Sequence, residues 1–469
     1  MRWDPNREGR DVIMASDGDK NRTVGNAPVG SARQERRGFD SRAMRAAFPA
    51  LHREVHPGKP LVYLDSAATA PKPQAVLDAV RRYDAEFPAN VHRGIHTLAE
   101  EATEAYEAAR ATVAAWLGST DPLGDASRVV FVKNATEALN LVALGWAGSR
   151  LEKGDEVVLT VAEHHANLVP WRMLAERRGV TLRYADLDAE GRLTFEAVEA
   201  VVSERTRVLA VTGLSNILGT SLPVDRLVAL GRSVGAAVVV DLAQAAGRLP
   251  APVNGGWLEA DFLAFSGHKL GGPTGVGVLV GRPERLEETE PILGGGGMIA
   301  RVDLDAVTWT EPPHKFEAGT PPIAQAIGLA AAIDFLDQFD RVAIAAHEQR
   351  LAQRAARELA ALDGVRLVGA GADRVERHGI VSFVCDAVHP HDLAQWADAD
   401  GVAIRAGHHC GQPLHRRLGL TASARASFGP YNDDADVDCL IATVRSALAR
   451  FGRHRATVAV GSHRIGTPR

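Results

Sequence analysis

The chain has 469 residues, 46% hydrophobic and 24% charged, a balance that lets a globular protein bury a sizeable core. Its formal net charge of -5 excludes a basic field for nucleic acid or anionic lipid, and no apolar run is long enough to span a bilayer. Three cysteines in this length argue against a disulfide scaffold and fit a reducing, cytoplasmic setting.

Residues 1–40 are polar, rich in Gly, Arg, Asp and Asn, and carry neither a helical nor a strand period. They are expected to form a disordered extension without a signal-peptide core, and Met14 is a candidate alternative start. Residues 41–60 are expected to join a smaller domain built mainly from the far end of the chain.

Between residues 61 and 310, short β-branched runs alternate with amphipathic stretches. Strands are expected at RVVFV (128–132), EVVLT (156–160), TLRYAD (181–186), RVLAVT (207–212), AVVVD (237–241) and FLAFS (262–266). That rhythm predicts an α/β domain with a large, mostly parallel sheet and helices on both faces. Ligands in such sheets collect beyond the carboxyl ends of the strands, so the residues that follow each strand are the candidates.

Taken in order, FVKNATEALNL is a strand, a polar turn and a helix whose free N–H groups at Ala135 and Thr136 suit a phosphate. Such joints are common, and alone this one is weak. TVAEHHANLVPW sets His164 and His165 after the next strand; an imidazole there is either a satisfied structural group or one that stacks on a flat ring and handles protons. VVVDLAQ ends a strand at Asp241, which either caps the next helix or pairs with a protonated ring nitrogen, and Gln244 lies one turn on. FSGHKLGGPTGVGVLVG holds Lys269 in a Gly-rich turn between two apolar strands. Most lysines are solvated surface charges, but a lysine desolvated at a strand end suits a Schiff base with a carbonyl cofactor.

A Pro-rich boundary at EPPHKFEAGTPP leads into the helical AQAIGLAAAIDFLDQF, the strand-like GIVSFVCD and VAIRAG, and the helix DDADVDCLIATVRSAL. Residues 311–451, with 41–60, are expected to form the smaller α+β domain, and 452–469 a loose tail. The loop RAGHHCGQPL places Cys410 behind His408 and His409, where a packed thiol, a metal ligand and a nucleophile all remain open. A zinc site gathering His164, His165, His408, His409 and Cys410 lacks the usual ligand spacing, so no metal is expected.

Ten blocks occur in order between about residue 45 and residue 450: YLDSAATAPKP, NVHRGIHTLAEEAT, NATEALNLVA, AEHHANLVPW, LSNILGT, VVVDLAQ, SGHKLGGPTGVG, FEAGTPP, IRAGHHCGQPL and ARASFGPYN. In this combination the chain resembles the Suf-type (group II) cysteine desulfurases of the class V aminotransferase family, which are fold-type I pyridoxal-phosphate enzymes. The resemblance implies a homodimer with pyridoxal 5'-phosphate as cofactor. It also implies conversion of L-cysteine to L-alanine with sulfur passed to an enzyme persulfide. A Suf-type sulfur-acceptor protein and iron–sulfur cluster assembly follow from it; selenocysteine lyase or another class V aminotransferase or lyase activity is the alternative.

The same resemblance assigns roles. Lys269 would hold the cofactor and move protons at substrate Cα, His164 would stack on the ring, Asp241 would pair with its nitrogen and Gln244 would contact its phenolic oxygen. Thr136, Ser266, His268 and the Ala135 backbone would hold the phosphate, with Thr320 reaching that of the neighbouring subunit. Arg425 would grip the substrate carboxylate, and Arg405 and Asn216 would line the substrate site. Cys410 would carry the persulfide, helped toward thiolate by the two histidines before it, while Cys385 and Cys439 are expected in the core. Two departures stand out: Gly271 replaces an aromatic residue and Gly297 an acid.

Overall fold

The computed structural model describes residues 38–461, except the side chains of 253–255 and 452–461. All six expected runs are strands: β1 (Val129–Val132), β2 (Glu156–Thr160), β3 (Thr181–Ala185), β4 (Thr206–Thr212), β5 (Ala237–Asp241) and β6 (Phe262–Ser266). The apolar run after the Gly-rich turn supplies β7 (Gly277–Gly281). They form one sheet in the order β1-β7-β6-β5-β4-β2-β3, parallel except for β7, which runs against both its neighbours.

Successive side chains of a strand point to opposite faces, and here both faces are covered. Val129, Val158, Leu209 and Val238 enter one apolar cluster, while Val130, Val157, Val208 and Val239 enter a second. Only β3, at the sheet's edge, shows much surface.

The helices that bear on the site are α1 (Thr97–Trp116), α2 (Ala135–Asn140, continued helically to Arg150), α3 (Ile323–Asp337), α4 (Arg341–Ala360), α5 (Gln412–Arg417) and α6 (Asp434–Gly461). A second, antiparallel sheet contains β8 (Val365–Leu367), β9 (Ile380–Cys385), β10 (Arg405–Gly407) and β11 (Ser423–Ser427) in the order β8-β9-β11-β10. Leu351 and Leu359 of α4 and Val437 and Leu440 of α6 bury its inner face in a third cluster.

Several expectations are redrawn. The run VAIRAG splits: Val402–Ala403 pairs in parallel with Val62–Tyr63, whereas Arg405–Gly407 joins β11. β11 itself reads as polar, because Ala424 and Ala426 face the third cluster while Ser423, Arg425 and Ser427, also buried, alternate with them. The Pro-rich stretch at residue 311 marks a loop and not a change of core, since Ile323 and Leu329 of α3 share the first cluster with Met44 and Phe48. Val62 and Leu64, by contrast, belong to the third cluster. The helical backbone of α6 continues past residue 452 to Gly461; the rest of the expected tail and residues 1–37 lie outside the described residues. No helix among the described residues is long and apolar enough to cross a membrane.

Candidate active site

The carboxyl ends of β1, β2, β5 and β6 open on a cavity of about 260 Å³, which the Cys410 loop and β11 complete from the other side. Beyond β1, Asn134 caps α2 by accepting the Glu137 N–H at 3.0 Å, as an Asn at that position is suited to do. The next N–H, of Ala135, donates to Ser266 Oγ at 3.0 Å, so the first turn of α2 and the end of β6 meet in the cavity wall, with Thr136 exposed beside them.

Beyond β2, His164 Nδ1 accepts the Ala166 N–H at 3.1 Å, which fixes the ring. Burial, aided by Lys269, lowers its pKa to about 3, so the imidazole facing the cavity is neutral. Glu163 was not singled out in the sequence. Its Oε1 accepts from the Thr160 hydroxyl at 2.7 Å and the Thr212 N–H at 3.0 Å, and its Oε2 from Asn167 Nδ2 at 2.7 Å. Burial pushes this carboxyl up to about 8, with the charge of Asp241 adding to the effect.

Asp241, 3% exposed, ends β5 and accepts the Ala243 N–H at 2.8 Å; a turn and not a helix follows, so it braces that turn and forms a cavity wall at once. Burial raises its pKa and the Lys269 charge opposes the rise. Gln244 lies outside the wall and donates from Nε2 to Ala67 O at 2.7 Å. Beyond β6, His268 shares a hydrogen bond with Thr69 Oγ1 at 3.1 Å, and burial lowers its pKa to about 4. Lys269 faces the cavity interior; burial lowers its amine to about 8 against the pull of Asp241. Gly271, two residues on, has φ +88°, a conformation that an aromatic side chain would strain, and Gly297 has φ +89°.

From the other side comes Arg425, 2% exposed, whose Nη1 donates to Asn216 O at 3.1 Å and Nη2 to Asp65 Oδ1 at 3.2 Å. Its Nε is buried with no hydrogen-bond partner. Asp65 also accepts from Arg405 Nη2 at 2.9 Å and so holds both guanidinium groups at the cavity. Sequence reasoning missed it; its only signal was its place just after the short strand in YLDSAAT.

Cys410 is exposed, and it and His409 both have left-handed backbones, φ +57° and +51°. Each such residue costs roughly 1–3 kcal/mol, so surrounding bonds must hold the turn. The His165 N–H donates to Cys410 O at 2.8 Å, Asn216 Nδ2 donates to His409 O at 2.7 Å, and the Gln412 N–H, at the start of α5, donates to His165 Nε2 at 3.2 Å. His409 does not serve Cys410 as expected: its Nε2 meets Ser423 Oγ at 3.0 Å, and burial lowers its pKa to about 2. Cys385 is buried, and desolvation pushes its thiol up to about 12. Cys439 is exposed, contrary to expectation, because the buried stripe of α6 runs through Val437, Leu440, Ile441 and Val444 and leaves it off that face.

Thr320 is exposed and outside the cavity, within 3.5 Å of Asn90 Nδ2. Its segment is anchored by Glu317, which takes Arg110 in a bidentate pair at 2.5 and 2.6 Å.

These groups fit pyridoxal phosphate with an amino-acid substrate. A desolvated amine suits the aldehyde, a buried carboxylate a ring N–H, and Ser266, His268 and the first turn of α2 a phosphate. The orphaned Arg425 Nε is a buried donor waiting for an acceptor such as a carboxylate.

Residues 62–440 match the family described as aminotransferase class-V. A probable cysteine desulfurase of Streptomyces coelicolor is 47% identical over 418 residues, covering 88% of this chain and 98% of the relative. A cysteine desulfurase of Haloferax volcanii is 45% identical over 429 residues, 89% of this chain and 99% of the relative. The crystal structure of the cysteine desulfurase CsdA (S-sulfonic acid) from Escherichia coli superimposes with a TM-score of 0.79 at 39% identity, covering 88% of this chain and all of that one (100%).

Proposed function

The chain belongs to the class-V aminotransferase family, and from that premise we propose that it is a pyridoxal-phosphate-dependent cysteine desulfurase. The observation that carries the reading is that Lys269 and Cys410 line one cavity, whereas Cys439, equally exposed, does not line it. When bound, pyridoxal phosphate supplies a carbonyl for amines and a ring that withdraws electrons from substrate Cα. Lys269, whose amine burial lowers to about 8 so that a neutral fraction exists at physiological pH, is the base that takes and returns a proton at Cα. Arg425, held by Asp65, takes the substrate carboxylate through its free Nε, with Arg405 and Asn216 beside it. His164 would present a neutral ring to the cofactor, and Asp241 would offer a carboxylate to a ring N–H. The Cys410 thiolate attacks the substrate sulfur: an S–S bond forms, the Cβ–S bond breaks, and alanine and an enzyme persulfide result.

The finer reading is a Suf-type enzyme of the cytoplasm, a homodimer in which Thr320 contacts the neighbour's phosphate and Gln244 the cofactor's phenolic oxygen. An exposed loop thiol supports transfer of the persulfide to a sulfur-acceptor protein for iron–sulfur cluster assembly. The test is incubation with L-cysteine, pyridoxal phosphate and reductant, which should yield alanine and sulfide in equal amounts. Absence of alanine at every pH tried would overturn the proposal. Activity on selenocysteine that survives Cys410→Ala unchanged, with none on cysteine in the parent protein, would favour a selenocysteine lyase.

A further inference from the structure

Apart from that cavity, His92, Glu107 and His314 bring one ligand atom each within 4.8 Å of one another, the one such group of metal-ligating side chains among the described residues. We infer that these three side chains form a divalent transition-metal site, with zinc as the ion their chemistry suits best. Two imidazoles and one carboxylate, with a fourth position for water, are an established zinc donor set.

The ligands come from three separate segments: the loop before α1, α1 itself, and the turn before Glu317. His92 Nε2 lies 2.9 Å from Glu107 Oε1, near the roughly 3.3 Å that separates ligand atoms around tetrahedral zinc with bonds of about 2.0–2.1 Å. The His92 and His314 rings meet edge to face with centroids 4.7 Å apart, which brings the third ligand beside the pair. Support comes from behind. Glu107 Oε2 accepts from Arg110 Nε at 2.8 Å, so the oxygen that would turn to the ion is Oε1, which without it is hydrogen-bonded to His92 Nε2, and Arg110 is itself clamped by Glu317. The His92 N–H is fixed on Thr103 Oγ1 at 2.9 Å.

The charges facing the group are also favourable. Two carboxylates, Glu107 and Glu317, against one guanidinium, Arg110, leave one negative charge before a cation arrives. The His92 and Glu107 side chains are 35% and 37% exposed, which leaves an entry path and room for water. A bound ion would brace the loop that carries Asn90 against the segment that carries Thr320.

The test uses untagged, chelator-treated protein in a Cys410→Ala background, which removes the reactive thiol as a rival ligand. Cobalt(II) should bind at one equivalent with a visible tetrahedral spectrum free of thiolate charge transfer, and zinc should displace it and raise Tm. His92→Ala and His314→Ala should each weaken cobalt binding about tenfold or more, and His314→Cys should restore binding with a new thiolate band. Failure of cobalt to bind, or equal affinity in parent and His314→Ala, would overturn the inference.

Discussion

Lys269 and Cys410 reach the same cavity from two unlike kinds of structure. Lys269 follows a fully buried strand in the middle of a seven-stranded sheet, between two apolar clusters. Cys410 sits on an exposed turn with two left-handed residues in succession, held by single hydrogen bonds from His165 and Asn216, while the following Gln412 N–H donates to the His165 ring. The sheet end uses desolvation to tune an amine, which requires rigid packing. The loop keeps a thiol accessible, which requires the opposite. In the proposed reaction the persulfide is handed on, so the second half suits a strained, exposed turn and the first half a buried strand end.

The sharpest break is at the sheet. Lys269→Ala should abolish the visible absorbance of the bound cofactor and lower alanine formation by about a thousandfold or more, read from the spectrum and from product analysis. At the loop, Cys410→Ala should leave that absorbance intact while alanine formation from L-cysteine falls about a hundredfold. Cys439→Ala, the exposed thiol outside the cavity, should change it by less than about twofold.

Where the two regions meet, Asp65→Asn removes the acceptor shared by Arg405 and Arg425. KM for L-cysteine should rise about tenfold with a smaller change in kcat, in steady-state kinetics. Burial depresses the Lys269 pKa, so the neutral amine is the minor form below about 8 and the major form above it. Cofactor uptake by the apoprotein should therefore speed up about tenfold per pH unit below about 8 and level off above; a flat profile would contradict desolvation as the tuning force. A small effect is confined to the loop. His165→Ala should change the alkylation rate of Cys410 by about two- to fivefold and leave the cofactor spectrum unchanged, because His165 touches the turn through its ring as well as its backbone.

Much of this division was legible in the chain. Strands such as AVVVD and FLAFS declare themselves because a buried parallel strand must be apolar on both faces, and Asp241 and Lys269 follow directly from where those strands stop. β11 was hidden, because its outward-looking residues Ser423, Arg425 and Ser427 are polar and buried by the site itself. Asp65 and Glu163 were hidden for a related reason. A lone carboxylate in a sequence gives no sign of whether an arginine more than three hundred residues away, or a threonine on the next strand, will meet it.

By itself, then, the sequence determined the sheet, the residues at the ends of its strands, and the loop that carries Cys410, since local periodicity and glycine placement are properties of neighbours in the chain. Only the tertiary structure decided that His409 turns to Ser423, that Cys439 faces outward, that Asp65 ties Arg405 to Arg425, and that His92, Glu107 and His314 converge. Those outcomes depend on the register between segments far apart in sequence, which packing sets and no local pattern encodes.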